Sequence, residues 1–166
     1  MTASALEARR ARKSNGAEAR SKSLRKAPAG AYGFVSLIGL RSQDPIDIFK
    51  HVEKGLAFAA LEHFQRSSGI STDDLADAVV ITVRTLHRRK ERGRLEPEES
   101  DRLLRISRVF GKALDLFEGR TQAARQWLFT AQRALGGKQP IVLAKTDVGA
   151  REVEALVDRL EQGVLT

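Results

Sequence analysis

Between Leu95 and Gly119 the chain reads LEPEESDRLLRISRVFGKALDLFEG. Pro97 and the glutamates of the first turn suit a helix N-terminus, where a missing N–H is harmless and acids meet the positive end of the helix dipole. Leu103, Ile106, Phe110, Ala113, Leu114 and Phe117 then recur at helical spacing, which predicts the longest helix of the chain. Its apolar face has to be covered by other elements. From Phe34 onward those elements also read as helices, and no strand–helix–strand alternation follows. The expectation is an all-α fold of about seven helices.

The remaining helices announce themselves by caps. Asp44 precedes Pro45, an N-cap followed by proline at the first helical position, and Ile46, Ile48, Phe49 and Val52 fall near one face before Gly55. Leu56, Ala60, Leu61 and Phe64 form a stripe ending at Gly69, and STDDLADAVV opens with hydroxyl and acidic residues that favour a helix start. TQAARQWLFTAQRAL spaces Ala123, Trp127 and Ala131 four apart, and the last helix places Val153, Leu156, Val157 and Leu160 on one face. GFVSLIGL alone is short and apolar enough for a strand or a buried connector.

Function classes narrow quickly. The chain has 166 residues, 42% of them apolar, and no cysteine, so disulfides and cysteine zinc sites are excluded. His51, His63 and His87 have no spacing that converges on a metal, and neither metal nor cofactor is expected. The apolar runs are much shorter than the ~20 residues of a membrane helix, and no apolar signal core follows the basic N-terminus. The expected compartment is the bacterial cytoplasm, without a membrane partner.

The formal charge of +8 is concentrated in two places. Residues 1–33 carry eight Lys/Arg against two Glu, and Thr82 to Arg94 carry six against one Glu; the remainder is net acidic. The first segment has too few large apolar side chains to offset its ordering entropy. It reads as a flexible basic arm, either a solvated tail or an arm that touches DNA.

The second segment has the layout of a helix-turn-helix over about 72–92, which can lay a thin helix in the major groove. Leu75, Val79, Ile81 and Leu86 form the inward set, and Thr82, Arg84, Thr85, His87, Arg88 and Lys90 are the candidate DNA contacts. Arg84 and Arg88 are i,i+4 neighbours and reach one groove together. An ordinary hairpin with a solvated basic face has the same pattern. Two positions depart from common helix-turn-helix sequences: Val80 stands where glycine is usual, and Arg89 stands where a small apolar residue is usual. Arg89 has to snorkel or pair with an acid.

From TLHRRKERGRLEPEESDRLLRISRVFGKALDLF through AARQWLFTAQRALGGKQPIVLAKTDVGAREVEALVDRLEQGV, with Gly55–Leu56 upstream, the chain resembles antitoxins of the Xre/ParS/MbcA group. That resemblance covers about residues 33–166. It implies a DNA-binding domain over 34–118 and a C-terminal toxin-binding domain over 119–166. It also implies a partner toxin of the RES type that consumes NAD+, repression of the protein's own operon as a homodimer on double-stranded DNA, and association with the nucleoid when bound there. The toxin-binding residues it implies are Trp127, Leu128, Gly136, Gly137, Pro140, Val153, Leu156 and Gly163; Leu160, on the face of the last helix with Val153 and Leu156, and the free end Val164, Leu165 and Thr166 join them as candidates. Leu135, Thr146 and Gly149 belong to the same motif. Many relatives carry an Arg/Pro/Asn-bearing loop after the tryptophan, where this chain has FTAQRA.

The segment LGGKQP invites a phosphate-loop reading, which fails on its own terms. A Walker-type loop ending at Gly137–Lys138 needs glycine at 132 and a hydroxyl at 139, and the chain has Gln132 and Gln139. The glycines read as turn residues with positive φ, a hinge orienting the last helix. Trp127 alone reads as a core anchor. No nucleophile, base and orienting group come together, so an enzyme is not expected. Two function classes follow: a bifunctional antitoxin that blocks its toxin sterically, or a stand-alone regulator whose C-terminal domain only dimerises. Under the first, the free end Val164–Thr166 contacts or occludes the toxin's active site.

Overall fold

In the computed structural model, which describes residues 31–163, the long helix runs Pro97–Leu116 and forms the axis of the molecule (α5). Before it come α1 (Pro45–Glu53), α2 (Phe58–Ser68), α3 (Thr72–Ala78) and α4 (Val83–Arg92); after it come α6 (Thr121–Leu128), α7 (Pro140–Leu143) and α8 (Asp147–Glu161). Short 3-10 helices occupy Gly33–Ile38 and Arg133–Leu135. Among the described residues there is no strand, only isolated bridges between Ala57 and Arg94 and between Gln132 and Lys138. The fold is all-α. Residues 1–30 of the basic arm, and Val164, Leu165 and Thr166, lie outside the described residues.

The six apolar positions of α5 do as their spacing requires. Leu103, Ile106, Phe110, Ala113 and Leu114 are buried, Phe117 is partly buried, and Phe110 meets Phe64 of α2 edge-on at 5.7 Å between centroids. The same core continues from Phe34 to Leu156, so α5 serves both the elements before it and those after it. Its principal neighbours are the first 3-10 helix, α8 and α6.

GFVSLIGL resolves as a connector. Phe34, Val35, Leu37 and Ile38 are buried in the 3-10 helix Gly33–Ile38, which lies against α5 and α2. Gly111 makes this approach possible: a Cβ there would stand 2.9 Å from the Cβ of Phe34. The chain then reverses at Gly39, whose φ is 75°.

Two expected stripes are corrected. On α1 only Ile48 is buried, while Ile46 and Phe49 are each 61% exposed. α1 lies against α5, and Ile48 is the one residue of α1 that is buried. On the segment after Gly119, Ala124 and Leu128 are the buried pair; Ala123 and Trp127 sit at the margin and Ala131 is exposed beyond the helix end. The helix stops at Leu128 because side chains compete for its last carbonyls: Thr130 Oγ1 donates to Gln126 O at 2.8 Å, and Gln132 Nε2 donates to Trp127 O and Thr130 O. FTAQRA thus becomes a bend, closed by Gln132 N donating to Lys138 O at 3.0 Å.

Candidate functional site

α3, its turn and α4 form the helix-turn-helix. Ser71 Oγ accepts from Asp74 N and Thr82 Oγ1 accepts from Thr85 N, each at 3.1 Å, so both helices start on a hydroxyl cap. Leu75, Val79 and Leu86 are buried and Ile81 partly so, which sets the angle between the helices. The turn retains its left-handed residue although that residue is valine: Val80 has φ 60°. Ile81 N donates to Ala76 O at 2.9 Å across it. Glycine takes this conformation freely, whereas a β-branched side chain is strained there.

On α4, Thr82, Arg84, His87, Arg88 and Lys90 are exposed and Thr85 is half-buried. Lys90 pairs with Glu62 of α2 at 2.9 Å. Arg84 and Arg88, one turn apart, stand out from the start and middle of the helix.

Arg89 resolves by pairing. It is 8% exposed and Glu99, at the N-terminus of α5, is 4% exposed. Nε and Nη2 of Arg89 donate to the two Glu99 oxygens at 2.8–3.0 Å, and Nη1 lies 3.1 Å from Glu96 Oε1. Burial pushes the Glu99 carboxyl upward, but the Arg89 hydrogen bonds, the Glu96 backbone N–H and the nearby charges of Arg89 and Arg102 outweigh it, so it is held below the usual carboxylate range. For Arg89 the hydrogen bond to Glu99 exceeds the cost of burial and raises its value further. This fork fixes the outer end of α4 to the axial helix.

The C-terminal unit is built differently. Leu128, Pro140, Val153 and Leu156 are buried, and Trp127 and Leu160 pack partly buried against the core; Trp127 meets Phe117 at 6.4 Å. These side chains shape the unit from within. Gly136 and Gly137, with φ of 63° and 73°, form the exposed tip of a loop where an added Cβ would meet nothing. Thr146 caps α8 through Gly149 N at 3.1 Å, and Gly149 lets α8 start against α7, since a Cβ there would lie 2.2 Å from Leu143 O. Gly163, with φ 70°, follows the end of α8. Sequence reasoning missed the exposed apolar side chains of this unit, Val142 on α7 and Val148 in the first turn of α8. Their signal was an apolar residue off the periodic face.

It also missed the cationic row on α5. Arg102 donates to Val79 O in the helix-turn-helix turn, Arg105 to Lys145 O before α8, Arg108 pairs with Glu154 at 2.6 Å, and Lys112 pairs with Asp158. Lys145 closes the row onto Asp77 of α3 at 2.7 Å. The helix-turn-helix and the C-terminal unit are therefore tied to each other as well as to α5.

Residues 47–108 match the antitoxin Xre-like helix-turn-helix domain, and residues 112–163 match the antitoxin Xre/MbcA/ParS C-terminal toxin-binding domain. An "Antitoxin Xre" of Yersinia enterocolitica is 34% identical over 78% of this chain and 88% of its own. The chain belongs to the Xre/MbcA/ParS antitoxin family. A second "Antitoxin Xre", from Photorhabdus laumondii, is 31% identical over 69% of this chain and 78% of its own. A "Prs ADP-ribosylating antitoxin" of a Sphingobium species is 27% identical over 72% of this chain and 80% of its own. In this antitoxin the helix-turn-helix match encloses the Arg89–Glu99 fork, and the toxin-binding match encloses the Gly136–Gly137 loop, α7 and α8. No described helix is long and apolar enough to cross a membrane.

Proposed function

We propose that this antitoxin neutralises a RES-type toxin that consumes NAD+ by covering the toxin's cleft, and that as a homodimer it represses its own operon through α4. The division follows the chain, with residues 34–118 serving the operator and 119–166 the toxin. The observation that carries the DNA half is the outward row Arg84, His87 and Arg88 on a capped helix whose one buried arginine, Arg89, is neutralised inward by Glu99. Such a helix presents donors to base edges and phosphates without burying a free charge.

For the toxin half, support comes from the toxin-binding domain itself and from the name of the Sphingobium relative, since ADP-ribosylation draws on NAD+. Steric inhibition requires surface rather than a catalytic set. The Gly136–Gly137 loop, Val142 and Val148 supply that surface, backed by Leu128, Val153 and Leu156, with Gly163 leading into Val164–Thr166. Co-expression with the product of an adjacent RES-domain gene tests the reading. Restored growth and co-purification are the expected result; growth arrest with no complex would leave a stand-alone regulator. Removing Val164–Thr166 should weaken neutralisation, and full neutralisation without them would remove the terminus from the mechanism.

A further inference from the structure

Beside the end of α4, outside the row that faces the groove, lies a cavity of about 350 Å³ lined by Asp47, Lys50, His51, Lys54, Ala57 and Arg94, with Gly55 at its base. The size is at the lower end of pockets that hold small molecules or parts of larger ones, roughly 300–1,000 Å³. Its lining residues include three permanent cations and one carboxylate, a net charge of +2. Among the described residues, none of the ion pairs involves Lys50, Lys54 or Arg94. Asp47 instead accepts from Ser42 Oγ at 3.1 Å.

The cavity is a fixed feature of the backbone. Arg94 Nη1 donates to Lys54 O at 3.0 Å and to Gly55 O at 2.8 Å, which leaves Nε and Nη2 for another acceptor. Leu95 N donates to Leu56 O and Phe58 N to Gly93 O, each at 2.9 Å, stitching the end of α4 to the loop after α1. Gly55 is forced by this closeness, since a Cβ would stand 2.1 Å from Leu95 O. Lys50 on α1 and Lys54 just past its end are four residues apart, both exposed and both among the lining residues.

We propose that this pocket binds a phosphate of the DNA backbone flanking the groove that α4 enters, extending the interface beyond the helix-turn-helix to α1. The inference rests on the DNA-binding reading of α4. Its position favours DNA over a free nucleotide: Arg94 lies two residues past the end of α4, on the strip of chain that continues from Arg88 and Arg92. The guanidinium supplies a fixed fork and the two lysines supply point charges, a combination suited to a phosphodiester oxygen pair.

The test uses the full chain with Lys50→Gln/Lys54→Gln, both exposed, its folding checked by thermal melting. Binding is measured against a duplex of the protein's own promoter and against one of unrelated sequence, over a range of salt. Because each neutralised phosphate contributes about 0.9 to the slope of log K against log salt, the variant should show a shallower slope and lose about 5-fold in affinity per contact near 0.15 M salt, equally on both duplexes. Arg84→Gln/Arg88→Gln is the companion variant. If that variant loses promoter preference while the lysine variant binds both duplexes like wild type with an unchanged slope, the pocket proposal is overturned and the groove reading stands. If wild type shows no promoter preference but the lysine variant still loses affinity for both duplexes, the pocket holds and operator recognition by α4 fails. Displacement of neither duplex by the lysine change, with AMP shifting the amide resonances of Lys54 and Gly55, would assign the pocket to a free nucleotide and also overturn it.

Discussion

Val80 and Arg89 are the two residues at which this chain breaks the usual helix-turn-helix pattern, and the structure accommodates each by a different means. Val80 keeps the left-handed conformation at φ 60° while 52% exposed, so little packing offsets the strain. Val80→Gly should stabilise the fold by about 1 kcal/mol, the relief of strain exceeding the extra chain entropy of glycine, as read from thermal or urea unfolding. Arg89 is compensated by Glu99, and the sequence held the clue: an acid at the third position of the next helix, ten residues on. Glu99→Gln should destabilise by about 3 kcal/mol at neutral pH, because the buried Arg89 would keep only the half-exposed Glu96 as an anion. Glu99 is held below its ordinary range. Its contribution is therefore complete above the carboxylate value of the unfolded chain and is lost as the pH falls through the lower value of the folded state. Wild type and Glu99→Gln should begin to converge in stability as the pH falls below about 4.3, the unfolded-chain value, and meet only below the lower value of the folded state.

Among the elements, those with a strong period and caps were legible. α5, α3 and α4 stand where their spacing put them, and Leu56, Ala60, Leu61 and Phe64 line the inner face as expected. α1 and α6 show where pattern fails. An apolar stripe names the residues able to be covered, while the neighbour's width decides which are, so Ile48 is buried and Phe49 is not. The end of α6 was set by Thr130 and Gln132 binding carbonyls, a local competition that periodicity does not register. Gly111 was equally silent, since its reason lies in the 3-10 helix far upstream in the chain. Gly111→Ala should cost about 1–2 kcal/mol on unfolding, the clash with Phe34 outweighing the better helix propensity of alanine. An unchanged or raised melting temperature would show that the 3-10 helix yields without penalty.

For the whole molecule, one axial helix joins two surfaces. The basic face of α4 was legible as charge at helical spacing, and the toxin-binding motif as a resemblance; the structure separates that motif into residues that build the unit and residues that remain exposed. Leu128, Val153 and Leu156 lie in the core, and Gly149 and Thr146 start α8, leaving the Gly136–Gly137 loop, Val142 and Val148 as surface. The surface residues escape periodic reading because this chain's own core does not determine them. Arg84→Gln/Arg88→Gln should abolish preference for the promoter duplex while leaving toxin neutralisation intact, which gel-shift and growth assays read separately. The central claim, steric neutralisation of an NAD+-consuming partner, is tested most directly by following NAD+ loss catalysed by the purified RES-type partner as the full-length antitoxin is added. The rate should fall in proportion to antitoxin and vanish near stoichiometric equivalence; a rate unchanged by excess antitoxin would contradict it.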